Sequence, residues 1–167
     1  MEEFEQFINK ASRNIEIADH ILNISYPALE DPKILLIACE NIFLAFSNSL
    51  SAAVYYERRF KRIPPFKEDF NGKFEAFSKK IVPRHGIKRE ILVSIEEVRD
   101  LILKHEESPV EFRRKESFVI CDDSYKYETL TAEKLRYYLE DAKKFYIIMS
   151  EITKKHANIF KRERPFQ

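Results

Sequence analysis

The chain has 167 residues, a net charge of +1, and 44% hydrophobic and 34% charged side chains, the balance of a folded domain rather than a disordered or fibrous chain. That length suits one domain with one continuous core, and a nearly neutral sum of charges neither demands nor forbids a nucleic-acid partner. With only Gly72 and Gly86, there is little to build the tight hairpins and bulges of an all-β fold. Fourteen Phe and eight Tyr with no Trp point to an aromatic core. Cys39 and Cys121 are too few for a disulfide framework and belong to no CxxC or Cys/His cluster, so neither a disulfide nor a structural zinc is expected.

The first helix is written in Phe4, Phe7, Ile8, Ala11, Ile15, Ala18 and Leu22, at three- and four-residue steps; it should end near Tyr26-Pro27. Asp31-Pro32 opens the second, with Asp as N-cap and Pro in the first turn. From Ile34 to Val54 this helix is apolar nearly all round, which predicts the buried centre of a bundle. The same stretch invites a membrane reading, but it holds Glu40, and a charge at mid-span costs about 2.5–3.5 kcal/mol on insertion scales. Pro64-Pro65 stops it. Phe70, Phe74, Phe77 and Ile81 mark a short third helix closed by Pro83 and Gly86.

Ile87, Ile91, Ile95, Val98 and Ile102 form the stripe of a fourth helix, which His105 continues; Ser94-x-x-Glu97 has the form of a capping box and would start it later. After Ser108-Pro109 the pattern becomes that of a small β-hairpin, Ser117 to Cys121 and Tyr125 to Thr129 around Asp122-Asp123-Ser124. Thr131 caps a last helix with Leu135, Tyr138, Leu139, Ala142, Phe145, Met149 and Ile152 on its stripe. The expected architecture is all-α, about five helices with a β-hairpin before the last, as a single domain over 1–160 and a loose basic tail over 161–167. Met1-Glu2-Glu3 lacks the basic start of a secretory signal, so the cytoplasm is the expected compartment.

No phosphate-binding glycine loop, HExxH or GxSxG is present. His20, His85, His105 and His156 are scattered, and adjacent carboxylates such as Glu106-Glu107 diverge on a helix. Basic residues cluster at 58–62, at Arg113-Arg114-Lys115 and at 161–164, as solvated ends or as a phosphate-facing surface. What remains is Arg99-Asp100-Leu101-Ile102-Leu103-Lys104-His105 at the end of the fourth helix. An Arg followed by a polar residue and, after five residues in all, a His, on the penultimate long helix of a small bundle, resembles the HEPN superfamily. Arg13-Asn14 through His20 has a similar form, with six residues between, but lies on the first helix.

The resemblance implies a homodimer and metal-independent RNA cleavage, with His105 moving protons during attack by the 2′-hydroxyl, Arg99 steadying the phosphorane charge and Asp100 orienting either. Arg113, Arg114 and Lys115 would then contact RNA. Residues six apart on a helix are separated by about 9 Å and about 120°, so Arg99 and His105 do not converge along one regular helix; either fraying after Lys104 turns His105 inward, or the two-fold dimer that the resemblance implies places two Arg and two His around one axis. Where some HEPN members carry Tyr two residues after the His, this chain has Glu107. No cofactor, metal or membrane is called for. Tyr137, Tyr138, Tyr146, Ile147 and Ile148 give the last helix more apolar surface than one stripe needs, which suggests self-association through the fourth and last helices. A non-catalytic interaction module in an assembly with another protein, and a small-ligand-binding bundle, fit the same sequence.

Overall fold

Apolar stripes at helical spacing fold as helices, and helix makes up 72% of the chain. The computed structural model describes residues 1–162, with side chains as far as Lys155; the tail expected over 161–167 lies, all but its first two residues, outside that range. Among the described residues the seven α-segments are α1 (Glu3–His20), α2 (Tyr26–Leu29), α3 (Ile34–Arg59), α4 (Phe70–Ala76), α5 (Val82–His85), α6 (Arg89–Glu107) and α7 (Ala132–Arg162). Two π turns, Ile21–Ser25 and Phe77–Ile81, join α1 to α2 and α4 to α5, leaving five helical rods. The fold is mainly α, with a small sheet before the last helix.

The rods surround α3. Phe4 meets Tyr56 edge-on at 5.2 Å and Phe7 stacks on Tyr55 at 5.0 Å, so α1 runs antiparallel to α3. Phe145 of α7 packs 5.9 Å from Phe46 and 5.6 Å from Phe77, and all three rings are fully buried. By length and composition α3 could cross a membrane, yet 56% of its apolar stretch is buried inside this bundle. Burial pushes the Cys39 thiol up to about 12, which makes it an inert core residue.

The helix expected to end at Tyr26-Pro27 runs one turn further, and Pro83 likewise falls inside its rod. Both prolines follow a π turn, which absorbs the lost N–H and the ring's demand for space. The Tyr26 N–H donates to Ile21 O, and Pro27 has none to give, so the Leu22 carbonyl loses its partner along the helix. Arg136 Nη2 donates to it at 2.9 Å. Each rod then ends on a left-handed residue, Glu30 at φ 50° and Gly86 at φ 60°.

Ser94 does not start the fourth helix. It lies in the middle of α6, where its hydroxyl donates to Asp141 of α7 at 2.5 Å, both groups being buried. The helix begins at Arg89 because Ile87 and Ile91 are needed in the core. The basic run at 58–62 is largely engaged in ion pairs. Arg58 reaches Glu68 at 2.9 Å and Glu3 at 3.5 Å, Arg59 reaches Glu2 at 3.4 Å, and Arg62 lies 3.6 Å from the buried Glu57, which also binds Arg84.

The sheet has three antiparallel strands in the order β1 (Val110–Arg114), β2 (Ser117–Cys121) and β3 (Tyr127–Leu130). The expected hairpin is β2–β3, closed by Asp122, whose Oδ1 accepts from the N–H groups of Ser124 and Lys126. β1 is an addition to it. Its turn, Lys115-Glu116, has neither Gly nor Asn, and Lys115 takes the left-handed conformation at φ 54°. Phe118, Ile120 and Leu130 face the bundle and are buried, while Thr131 Oγ1 caps α7 by accepting from Lys134 N–H.

Because Ser94 donates to the buried Asp141 carboxylate, Ser94→Ala should destabilise the fold by about 1.5–3 kcal/mol. Thermal melts should fall by about 3–12 °C for a chain of this size; an unchanged melting temperature would show that water replaces the hydroxyl.

Candidate functional site

Helix α6 carries Arg99, Asp100 and His105, and its own geometry separates them. Arg99 leaves toward α4, its guanidinium carbon 4.7 Å from the centre of the Phe70 ring. That ring packs on Phe43 of α3 at 5.3 Å. Asp100 lies on the opposite flank with Glu97, Lys104, Glu128, Lys134 and Tyr138. Ile102, between Arg99 and His105 in steps of three, is turned into the core. Within one chain, therefore, Arg99, Asp100 and His105 are not brought to a common point.

His105 finds other partners. Its Nδ1 lies 2.6 Å from Glu111 Oε1, and its Nε2 lies 3.8 Å from Glu40 Oε1. Glu111 is only a fifth exposed because β1 lies over the end of α6, whereas Glu40 stands half in solvent on α3. In the tautomer that donates from Nδ1 to Glu111, the neutral ring carries its lone pair at Nε2, on the side of Glu40. The two carboxylates meet opposite ring nitrogens, and among the described residues no group of three or more His, Cys, Asp or Glu could hold a metal ion. The arrangement is a carboxylate–histidine dyad. The other motif match is used differently: Asn14 bonds Asn41 at 3.2 Å and Asn48 at 2.9 Å, joining α1 to α3.

The basic residues after α6 divide by strand alternation. Arg113 shares the inward face with Glu111 and pairs with Asp31 at 3.2 Å. Arg114 shares the outward face with Val110 and Phe112, across from Ser117, Val119, Cys121, Tyr127 and Thr129. On that face Phe112 is 45% and Tyr127 64% exposed, around a buried Val119. An open groove continues from Arg114, Lys115 and Tyr127 to Tyr26 and Arg136, and its rim also bears Glu30, Glu116 and Glu133. Glu111, Phe112 and Tyr127 were not singled out from the sequence. The alternation Val110-Glu111-Phe112-Arg113 was the available signal, hidden by the absence of a turn residue.

Compared with known protein families, curated proteins and solved structures, the chain matches none.

Beside the dyad, Lys104 lies 2.8 Å from Glu128, which Lys134 also approaches at 3.7 Å. The hydrogen bond from Lys104 holds the Glu128 carboxyl below its ordinary value and raises the lysine above its own. A lowered carboxyl contributes stability that is full above 4.5, its ordinary value, and disappears as the pH falls through the folded-state value. A raised lysine contributes stability below 10.5 that disappears as the pH climbs through its folded-state value. Lys104→Met should therefore melt below the unaltered protein at neutral pH, with the gap closing as the pH falls through the lowered Glu128 value. A gap that stays constant down to the acid limit of the folded protein would mean that the lysine stem, not the ion pair, secures the sheet.

Proposed function

We propose that this chain is a HEPN-like RNA-binding protein of the cytoplasm that works as a homodimer, with single-stranded RNA lying on the outward face of its small sheet. The observation that carries the reading is the exposure of Phe112 and Tyr127 on one sheet face, with Arg114 on that face and Lys115 at its turn. Exposed aromatic rings offer stacking to bases of any sequence, and flanking cations follow the phosphates. Glu30, Glu116 and Glu133 on the groove rim keep the local field small, so stacking supplies more of the affinity than charge.

Metal-independent cleavage is the narrower form of the same proposal. The His105–Glu111 dyad supports it, since a held Nδ1 leaves Nε2 to take the 2′-hydroxyl proton. Arg99 lies on another flank of α6, so charge stabilisation has to come from a second copy or from a different cation. A non-catalytic interaction module is the alternative reading. It is favoured by the absence of any common point for Arg99, Asp100 and His105 in one chain.

Fluorescence anisotropy with a labelled single-stranded RNA separates these readings. Tyr127→Ala should lose about 1–3 kcal/mol of binding, the range for one stacked base. Arg114→Ala should weaken binding to all sequences alike and lower the salt dependence by about one ion. No binding by the unaltered protein at low salt would exclude the RNA reading. With EDTA present, cleavage should leave 2′,3′-cyclic phosphate ends, falling about 10²–10⁴-fold in His105→Ala and not at all in His20→Ala. Binding without cleavage would leave the RNA-binding form alone.

A further inference from the structure

Among the described residues strand β1 is an edge strand, with β2 as its one ladder partner. An unpaired edge is open to any extended segment, and proteins guard such edges with charge and proline. Here Pro109 precedes the strand and charged residues occupy three of its five positions, Val110-Glu111-Phe112-Arg113-Arg114. The order of those charges is specific. Turned antiparallel on itself about Phe112, the strand places Glu111 opposite Arg113 of a second copy, Arg113 opposite its Glu111, and Phe112 opposite Phe112. No charge then faces its like.

We infer that the β1 edge binds β1 of a second copy of this chain, antiparallel and centred on Phe112, so that two three-stranded sheets become one of six strands. Glu111 and Arg113 share the inward face, and each has a bond within its own chain, to His105 at 2.6 Å and to Asp31 at 3.2 Å. Glu111 uses Oε1 for His105 and has Oε2 left for the incoming guanidinium. Arg113 is 62% exposed and has further N–H groups to donate. On the outward face Phe112 and Val110, both about half exposed, gain neighbours at their edges: Phe112 lies beside its counterpart with the ring faces still open, and Val110 meets the stem of Arg114 from the other copy. Alternative sites on the last helix are weaker: Tyr138 is buried and donates to Glu97 at 2.7 Å, while the exposed Tyr137 and Ile147 lie ten residues, about 15 Å, apart.

The role of this dimer rests on the RNA-binding reading, because pairing makes one continuous strip of Tyr127, Arg114 and Phe112 with their second-copy equivalents. The pairing itself is tested without RNA. A five-residue edge is small beside the about 1,200–2,000 Å² of a stable interface, so the dimer should dissociate in the micromolar range. Sedimentation should show Arg113→Glu alone and Glu111→Arg alone each weakened by at least about tenfold, since each sets like charges opposite one another twice. An equimolar mixture of the two variants should dimerise again, because every cross-strand pair in the mixed dimer is of opposite charge. Circular dichroism on each variant checks that it is folded. A monomeric unaltered protein at high micromolar concentration would overturn the inference, as would dimers that survive both substitutions or a mixture that stays monomeric. A dimer that behaves as expected but binds no RNA would retain the interface and remove only the function assigned to it.

Discussion

Burial of α3 is the constraint on which everything else depends. Sixteen of its 26 residues are buried, so no single neighbour can cover it. Helix α1 takes one side through the paired rings of Phe4, Phe7, Tyr55 and Tyr56. Helix α7 takes another through Phe46 and Phe145, and α6 and the π turn at Phe77 close the rest. The dependence extends to the polar atoms. Glu57 is carried into the interior by the same helix, which obliges Arg62 and Arg84 to meet it from other segments. Asp141 in the same way obliges Ser94. An unpaired buried carboxylate costs more than its hydrogen bond returns, so these partners are consequences of packing before they are anything else.

The helical part of this arrangement was legible because burial writes periodicity directly into the sequence. Residues 34–54 read as a buried centre, and the stripes of α1, α6 and α7 gave their inward faces. What was not legible depends on contacts distant in the chain. Tyr26-Pro27 and Val82-Pro83 read as stops, because nothing local reveals that a π turn will absorb each proline or that Arg136 will satisfy the Leu22 carbonyl from 114 residues away. Strand β1 was missed for a different reason. Its turn, Lys115-Glu116, relies on a left-handed lysine where a hairpin ordinarily uses Gly or Asn, and its charges read as a solvated loop.

The site depends on β1 more than on where any helix ends. Arg99, Asp100 and His105 were found by spacing along one helix, and spacing reports neither flank nor partner. Successive steps of three turn by about 60° the other way, enough to send Arg99 to Phe70 and His105 to Glu111. The carboxylate that meets His105 comes from β1, and the exposed aromatic rings of the proposed RNA face come from β1 and β3. The sequence therefore held the histidine but not its carboxylate, and Arg114 and Lys115 but not the rings beside them.

The sheet differs from the bundle in how it is fixed. Three apolar side chains, Phe118, Ile120 and Leu130, anchor it to the core, and the rest of its attachment is polar: Tyr26 to the Glu116 carbonyl, Arg113 to Asp31, Lys104 to Glu128 and Glu111 to His105. Partly exposed ion pairs of this kind contribute little each and weaken with salt, so the sheet is the element whose position answers most readily to a partner. Glu111 lies where these effects meet, holding His105 from below and facing the open edge of β1. Under the proposed pairing, an arginine from the second copy draws on the same carboxylate that orients the imidazole. Dimerisation and the orientation of the His105 ring are then linked through one side chain, and the coupling is reciprocal: whatever fixes Glu111 for the second copy also fixes the imidazole, and whatever moves the imidazole moves the carboxylate that the second copy needs.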